Sequence, residues 1–303
     1  MSAALPHARA TTEPVLVDCI WDVAAELGEG PVWSAAERAL WFVDIKGKRI
    51  HRLDTVSGER RSWDAPSNPG FLAPLAGGGW LAGLKTGLHR FDPESGDFTL
   101  FAAVEPHLPH NRLNDGHVDA RGHLWFGSMD DHEAEPTGAL YRLESHGVPV
   151  AVDWNYVITN GPAVSPDGRT LYHTDTLERR IYAFDLDRDG AVSERRVFAT
   201  IEDGAGYPDG PAVDAKGCVW TGLFGGWGLR RYAPTGELLS FVRFPCANVT
   251  KPAFGGDDLK TLYATTAWKG LSPAERAEQP LAGGLFQLAV DVPGLAQSEL
   301  HLD

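Results

Sequence analysis

The sequence predicts an all-β protein, a six-bladed β-propeller of four-stranded antiparallel blades, and three observations carry that prediction. First, an oxygen-bearing side chain stands directly before a strand-opening glycine four times, in Glu29-Gly30-Pro31, Asp115-Gly116-His117, Asn160-Gly161-Pro162 and Asp209-Gly210-Pro211. These glycines are 86, 45 and 49 residues apart. The first interval spans two units, so the period is about 40–50 residues, the range of sheet-blade repeats. Second, the intervals share a pattern of strand, tight turn, strand, loop, strand, with turns of the D-x-x-G and S-P-D-G kind. Third, 34 Gly and 21 Pro favour many tight turns over long helices.

The elements follow in chain order. Val15 to Trp21 precedes the first unit and is expected to close the ring as the outer strand of the last blade. Unit one runs from Gly30 through Leu40-Trp41-Phe42-Val43-Asp44 to Arg49-Ile50-His51-Arg52-Leu53-Asp54. Unit two, a weaker match, starts near Phe71-Leu72-Ala73 and continues through Trp80-Leu81-Ala82-Gly83 and Gly87-Leu88-His89-Arg90-Phe91. Unit three passes from Gly116 through Leu124-Trp125-Phe126-Gly127 to Ala139-Leu140-Tyr141-Arg142-Leu143. Unit four carries Ser165-Pro166-Asp167-Gly168, Leu171-Tyr172-His173-Thr174-Asp175 and Arg180-Ile181-Tyr182-Ala183-Phe184-Asp185. Unit five carries Asp214-Ala215-Lys216-Gly217, Cys218-Val219-Trp220-Thr221-Gly222 and Gly228-Leu229-Arg230-Arg231-Tyr232. Unit six, again weaker, comprises Lys251-Pro252-Ala253-Phe254, Leu262-Tyr263-Ala264-Thr265-Thr266 and Gly284-Leu285-Phe286-Gln287-Leu288. One short helix is expected near Pro273 to Glu278. A stack of β-sandwiches is the alternative architecture.

Bulk properties narrow the function. A length of 303 residues suits two domains or one large all-β domain. No linker or charge block divides the chain, so residues 15–303 are expected to form one domain, with 1–14 as a disordered tail. Hydrophobic residues at 43% suffice for a buried core. Asp and Glu outnumber Lys and Arg by 41 to 27, a net charge of −14, which repels nucleic acid and anionic membrane. Cys19, Cys218 and Cys246 match neither a disulfide framework nor a zinc pattern and point to a reducing, cytoplasmic setting. The N-terminus lacks the apolar core of a signal peptide, and no run of 18 apolar residues could span a membrane. The oligomeric state is not legible, and a monomer is the default.

In a propeller the innermost strands line a central channel, so Glu29, Asn114 or Asp115, Asn160 and Asp209 are expected to meet at one mouth. Two carboxylates and an amide oxygen suit one divalent metal ion: Ca, Mg, Mn, Fe(II) or Zn. The competing explanation is that Asp, Asn and Gly are turn formers at blade edges. HExxH, a His cluster, a G-x-S-x-G elbow, a P-loop and a G-x-G-x-x-G turn are all missing from the sequence. A metal at the mouth would polarise a carbonyl and activate water, with Asp209 as general base. Arg112 would face the same mouth, a surface salt bridge being its ordinary alternative. His173 reads as a buried structural histidine, whereas Lys251 and Lys269 lie near the ring's sixth position and read as solvated.

These residues also carry a family resemblance. Leu27-Gly28-Glu29-Gly30-Pro31, Arg112-Leu113-Asn114-Asp115-Gly116, Asn160-Gly161-Pro162 and Tyr207-Pro208-Asp209-Gly210, in this order, resemble the senescence-marker-protein, gluconolactonase and regucalcin family over Leu27 to Leu288. The resemblance implies a six-bladed propeller with one divalent metal in its channel, many members of which hydrolyse sugar lactones. It places metal ligands on Glu29, Asn160 and Asp209, the catalytic acid/base on Asp209, and substrate contacts on Arg112 and Asn114. A further substrate carboxylate of the family falls within Asp130-Asp131-His132-Glu133 without singling out one residue. Three stretches, at 173–176, 250–256 and 269–272, are most similar to bacterial pentonolactonases such as xylonolactonase or arabinonolactonase, a gluconolactonase remaining open.

The expected function is therefore metal-dependent hydrolysis of a sugar aldonolactone (xylono-, arabinono- or gluconolactone) to the aldonic acid in sugar catabolism, with a small-molecule partner only. Two alternatives stand beside it. One is a non-catalytic metal-binding scaffold, because fold does not imply function. The other is a phosphotriester or aryl-ester hydrolase, for which Phe71, Trp154 and Trp268 could line an apolar mouth.

Overall fold

The computed structural model describes residues 15–144 and 146–302, so the expected disordered tail at 1–14 lies outside the described residues. Six four-stranded antiparallel sheets form the molecule. Blade one comprises Gly28–Ser34, Ala39–Asp44, Arg49–Asp54 and Arg60–Asp64, and blade two Phe71–Pro74, Trp80–Leu84, Gly87–Phe91 and Phe98–Ala103. Blade three comprises Asn111–Val118, Leu124–Asp130, Gly138–Leu143 and Pro149–Tyr156, and blade four Thr159–Val164, Thr170–Asp175, Arg180–Leu186 and Val192–Thr200. Blade five comprises Tyr207–Val213, Val219–Phe224, Gly228–Tyr232 and Leu238–Arg243. Blade six takes Asn248–Gly255, Thr261–Ala267 and Leu285–Ala289 from the end of the chain and Asp18–Trp21 from its beginning.

That last strand pairs antiparallel with Leu285–Ala289, Asp18 opposite Gln287 and Cys19 opposite Phe286, and closes the ring as the sequence predicts. Inner strands of neighbouring blades pack in cyclic order, and blade six returns to blade one. The short helix falls at Pro273–Glu278, with Ser272 and Glu275 forming a capping box around its start. No helix among the described residues is long and apolar enough to cross a membrane.

The core is divided into six wedges, one at each blade interface. Trp41 with Trp80 and Phe91 fills the wedge between blades one and two, and Phe71 with Leu113 and Phe126 the next. Trp125 with Phe184, Tyr172 with Val219, Trp220 with Phe286, and Trp33 with Tyr263 continue the series around the ring. Each large buried side chain contributes roughly 1.5–3 kcal/mol. Several tryptophans are thus inter-blade packing.

The D-x-x-G turns have a second use. Asp119 Oδ1 accepts the N–H groups of Arg121 (2.8 Å) and His123 (3.0 Å), while Oδ2 accepts Trp125 Nε1 (2.9 Å). Asp214 repeats the arrangement in blade five with Lys216, Cys218 and Trp220 Nε1 at 3.0, 3.0 and 3.2 Å. One carboxylate closes the hairpin and orients the tryptophan of the wedge.

Five of the six inner strands carry a register shift, and each lies where an oxygen or ammonium side chain turns towards the axis. The shifts fall between Glu29 and Val32, Leu113 and Gly116, Asn160 and Ala163, Pro208 and Pro211, and Val249 and Pro252. A bulge bends its strand and re-aims the neighbouring side chain. Blade two pairs in regular register from Phe71 opposite Gly83 to Pro74 opposite Trp80.

Candidate metal centre at the channel mouth

The bulges place Glu29, Asn160 and Asp209 on the wall of one cavity of about 270 Å³, together with Arg112, Asn114, Glu133, Thr176 and Lys269. The three candidate ligands are 3%, 4% and 5% exposed, so water cannot solvate them freely. Apolar walls come from Leu27, Met129, Ile158, Leu177 and Phe224, with Tyr207 beside them.

Local bonding explains how each donor is aimed. Glu29 Oε2 accepts the N–H of Gly30 (2.8 Å) and Asp209 Oδ1 that of Gly210 (3.0 Å), so each carboxylate is tied at one oxygen. Gly30 has φ +53°, and Gly161, after Asn160, has φ +81°. Both are left-handed conformations that disfavour a side chain. Asn160 is held at both ends of its amide, accepting from Asn114 Nδ2 (3.0 Å) and donating to Thr176 Oγ1 (2.9 Å). The Asn114 amide accepts Arg112 Nη1 at 2.5 Å, and Arg112 Nε donates to Asp131 Oδ1 at 2.8 Å. A chain of polar contacts thus runs Asp131–Arg112–Asn114–Asn160.

Burial raises the pKa of Glu29 well above the usual carboxylate range, and the neighbouring Asp209 and Asp115 charges add to the shift. Asp209 is raised as well, again chiefly by burial, with Asp115 contributing. Two desolvated carboxylates facing one another favour a shared cation or a shared proton. Among the described residues no three His, Cys, Asp or Glu side chains form a metal cluster. The third candidate donor is instead the amide oxygen of Asn160. Two carboxylates and an amide fit a hard divalent ion.

Several expectations are corrected. Of the pair left open, Asn114 lines the cavity, whereas Asp115 turns one layer deeper into the channel. There it forms an ion pair with Lys251, and its Oδ2 accepts the N–H of Gly161 at 2.7 Å. Lys251 is therefore not solvated: it is 7% exposed, because its inner strand directs it into the filled channel. Lys269 lines the cavity and pairs with Glu133. Arg112 is no surface salt bridge, being 2% exposed. Phe71 belongs to the wedge between blades two and three, Trp154 is exposed on an outer strand, and Trp268 Nε1 donates to Ala24 O at 3.0 Å. None of these three lines the cavity. His173 is buried as expected, with its ring edge-on to Tyr156.

The acidic stretch also resolves into separate tasks. Asp130 caps its own loop, accepting from the N–H groups of His132, Ala134 and Glu135. Asp131 gathers Arg112, Lys46 (2.8 Å) and Lys85 (3.5 Å), while the His132 side chain is mostly exposed. Glu133 is the carboxylate that reaches the cavity. Nothing in the spacing of these four residues distinguishes them, since one loop turn sets all four directions.

Comparison with known proteins places this geometry in a family. The model of the SMP-30/gluconolactonase/LRE-like region matches residues 27–268. The chain is 37% identical to an L-arabinolactonase of Azospirillum brasilense, over 91% of this chain and 92% of that one. It is 34% identical to a 6-deoxy-6-sulfogluconolactonase of Pseudomonas putida, over 92% and 96%. A solved structure of a calcium-binding protein, regucalcin, from Agrobacterium tumefaciens superposes with a TM-score of 0.91 at 30% identity, covering 97% of this chain and 99% of that one. The chain belongs to the SMP-30/gluconolactonase/LRE-like family.

Proposed function

We propose that this protein is a sugar lactonase, hydrolysing an aldonolactone to its aldonic acid with one divalent metal held by Glu29, Asn160 and Asp209. The observation that carries the reading is the buried pair of carboxylates, Glu29 and Asp209, beside a fixed amide in a cavity sized for one sugar ring. A scaffold has no use for two desolvated acids, each of which destabilises the fold unless paired. The two bacterial relatives carry lactonase names, and the regucalcin structure is described as calcium-binding.

A divalent cation held by Glu29, Asn160 and Asp209 would supply Lewis acidity towards the lactone carbonyl and the attacking water. The protein's own groups supply the rest. Asp209, tied by one oxygen to Gly210, accepts the water proton at its other oxygen and returns it to the ring oxygen as the C–O bond breaks. Water adds to the carbonyl carbon and the ring C–O bond breaks, so the products are the freed hydroxyl and the carboxylic acid, which releases its remaining proton to solvent to become the carboxylate. Arg112 and Asn114, locked by Asp131 and Thr159, are positioned to orient the substrate oxygens. The apolar walls exclude bulk water and strengthen each of these contacts.

The substrate class comprises xylono-, arabinono- and gluconolactone, placing the enzyme after a sugar dehydrogenase in catabolism. Cys19, Cys218 and Cys246 are all free thiols, which supports a reducing compartment such as the cytoplasm. Hydrolysis of an aryl ester or phosphotriester is the second reading, and the apolar walls favour it. A pH-indicator assay with these lactones and one aryl ester separates the two. Preferential opening of a sugar lactone supports the first reading, and preferential cleavage of the aryl ester overturns it.

A further inference from the structure

Two ion pairs cross the channel from blade three to blade six, which are opposed blades in a six-membered ring. The deeper pair is Asp115–Lys251, with side chains 1% and 9% exposed. The outer pair is Glu133–Lys269, 32% and 27% exposed. Glu133 and Lys269 line the same cavity as Glu29, Asn160 and Asp209, so the outer pair is a bar along its wall, whereas Asp115 and Lys251 are buried outside that lining.

Both ends of that bar are anchored. Lys269 donates its backbone N–H to Glu26 O (2.9 Å), and its carbonyl accepts Asn248 Nδ2 (3.0 Å). Glu133 donates its N–H to Asp130 O at 3.0 Å and holds φ +59°, inside the loop capped by Asp130. The other cations near the mouth, Lys46, Lys85 and Arg112, are all engaged with Asp131. Outside the candidate ligands and Arg112, therefore, the charged groups lining the cavity are Glu133 and Lys269, each paired with the other.

We propose that the Glu133–Lys269 pair is a charge filter for the end of the substrate remote from the lactone carbonyl, set to admit a neutral hydroxylated tail. The inference rests on the lactonase reading. A hydroxyl both donates and accepts, so it inserts between carboxylate and ammonium and satisfies both. An anionic tail satisfies Lys269 but leaves Glu133 facing a second negative charge, and a cationic tail reverses the conflict. In this half-buried position such a mismatch is poorly screened. Selection by charge then follows from an attractive and a repulsive element side by side.

The test compares kcat/KM for gluconolactone and for an aldarolactone whose remote carbon is a carboxylate. Wild type, Glu133→Gln and Lys269→Gln are assayed under the same metal. The ratio of the two rates within one enzyme cancels differences in metal loading and folded fraction. Glu133→Gln is expected to raise the anionic-over-neutral ratio about tenfold, and Lys269→Gln to lower it by a similar factor. The exchanged pair, E133K with K269E, is expected to return the ratio to within about threefold of wild type. Ratios that stay constant, or that move in the same direction in both single variants, overturn the filter. A wild type that opens neither lactone overturns the lactonase reading and the filter with it.

Discussion

Blade two and blade three share an architecture but not a purpose. The inner strand of blade two, Phe71–Pro74, is short and regular, and it contributes Phe71 to a wedge core. The inner strand of blade three, Asn111–Val118, is bulged and turns Arg112, Asn114 and Asp115 towards the channel. Its Gly116 lacks a side chain where the Phe71 ring of blade two approaches, since a Cβ there would lie 2.7 Å from Phe71 Cδ2. The regular blade shows that the propeller needs no polar ring to close. The bulged blades bury charge that packing alone would avoid, and they sacrifice ladder regularity to aim it. Stability therefore resides in the wedges, and the proposed function draws on the bulges.

That division predicts effects that separate cleanly. The largest is expected for Asp209→Asn, which should lower lactone hydrolysis by about a thousandfold or more, as the loss of the proposed base and metal ligand requires. Its melting temperature without metal should not fall, because a buried repulsive charge has gone. A variant with near-wild-type activity would remove Asp209 from the chemistry.

Phe71→Ala should do the opposite. Truncating this fully buried ring should cost about 3–5 kcal/mol in denaturant unfolding. The kcat of the remaining folded protein should stay within about threefold of wild type. Equal loss of both quantities would erase the distinction between wedge and bulge.

A smaller effect depends on pH. Burial lowers the pKa of His173 from its ordinary 6.5 to about 4. The unfolded chain therefore binds a proton at His173 before the native state does. The stability from keeping this ring neutral is fully present above pH 6.5 and declines as pH falls towards 4. Between pH 7 and pH 4.5 the loss from this group should be about 2–3 kcal/mol. Urea unfolding of wild type and His173→Phe at both values measures it, and parallel losses in the two proteins would refute the assignment.

The smallest effect concerns the turn clamps. Asp119 is held at about 2: burial raises its carboxyl, but hydrogen bonds from His123 and Trp125 outweigh it and lower the value. Asp119→Asn should cost about 1–2 kcal/mol at neutral pH, mostly through the Trp125 bond. The cost should shrink as pH falls from about 4 towards 2, where about half of the native carboxyl is protonated. An unchanged urea midpoint at pH 7 would show that the turn holds without its charge.

Much of this was legible from the chain. The X-Gly spacing located Glu29, Asn160 and Asp209, and the strand before unit one was recognisable as the piece that closes the ring. What stayed hidden depended on direction and distance rather than residue type. Asn114 and Asp115 are adjacent, and a bulge decides which faces the mouth and which the floor. Lys251 and Lys269 find their partners 136 residues away, across the ring, where no local pattern points. Phe71 looked available for an apolar mouth because its wedge is built jointly with blade three. In Asp130-Asp131-His132-Glu133 four polar residues in a row take four directions, and only the folded loop separates them.

The central claim is that Glu29, Asn160 and Asp209 hold one cation on which lactone hydrolysis depends. Its most direct test is a titration of metal-stripped wild-type protein and of Asn160→Leu with Ca, Mg, Mn, Zn and Fe(II). Bound metal and the rate of lactone opening are followed in the same samples. The expected result is saturation at one ion per chain with rate rising in proportion, and weak binding with little rate in Asn160→Leu. Full hydrolysis by wild-type protein shown to be free of metal, or proportional rescue of Asn160→Leu at the same ion concentrations, would contradict it.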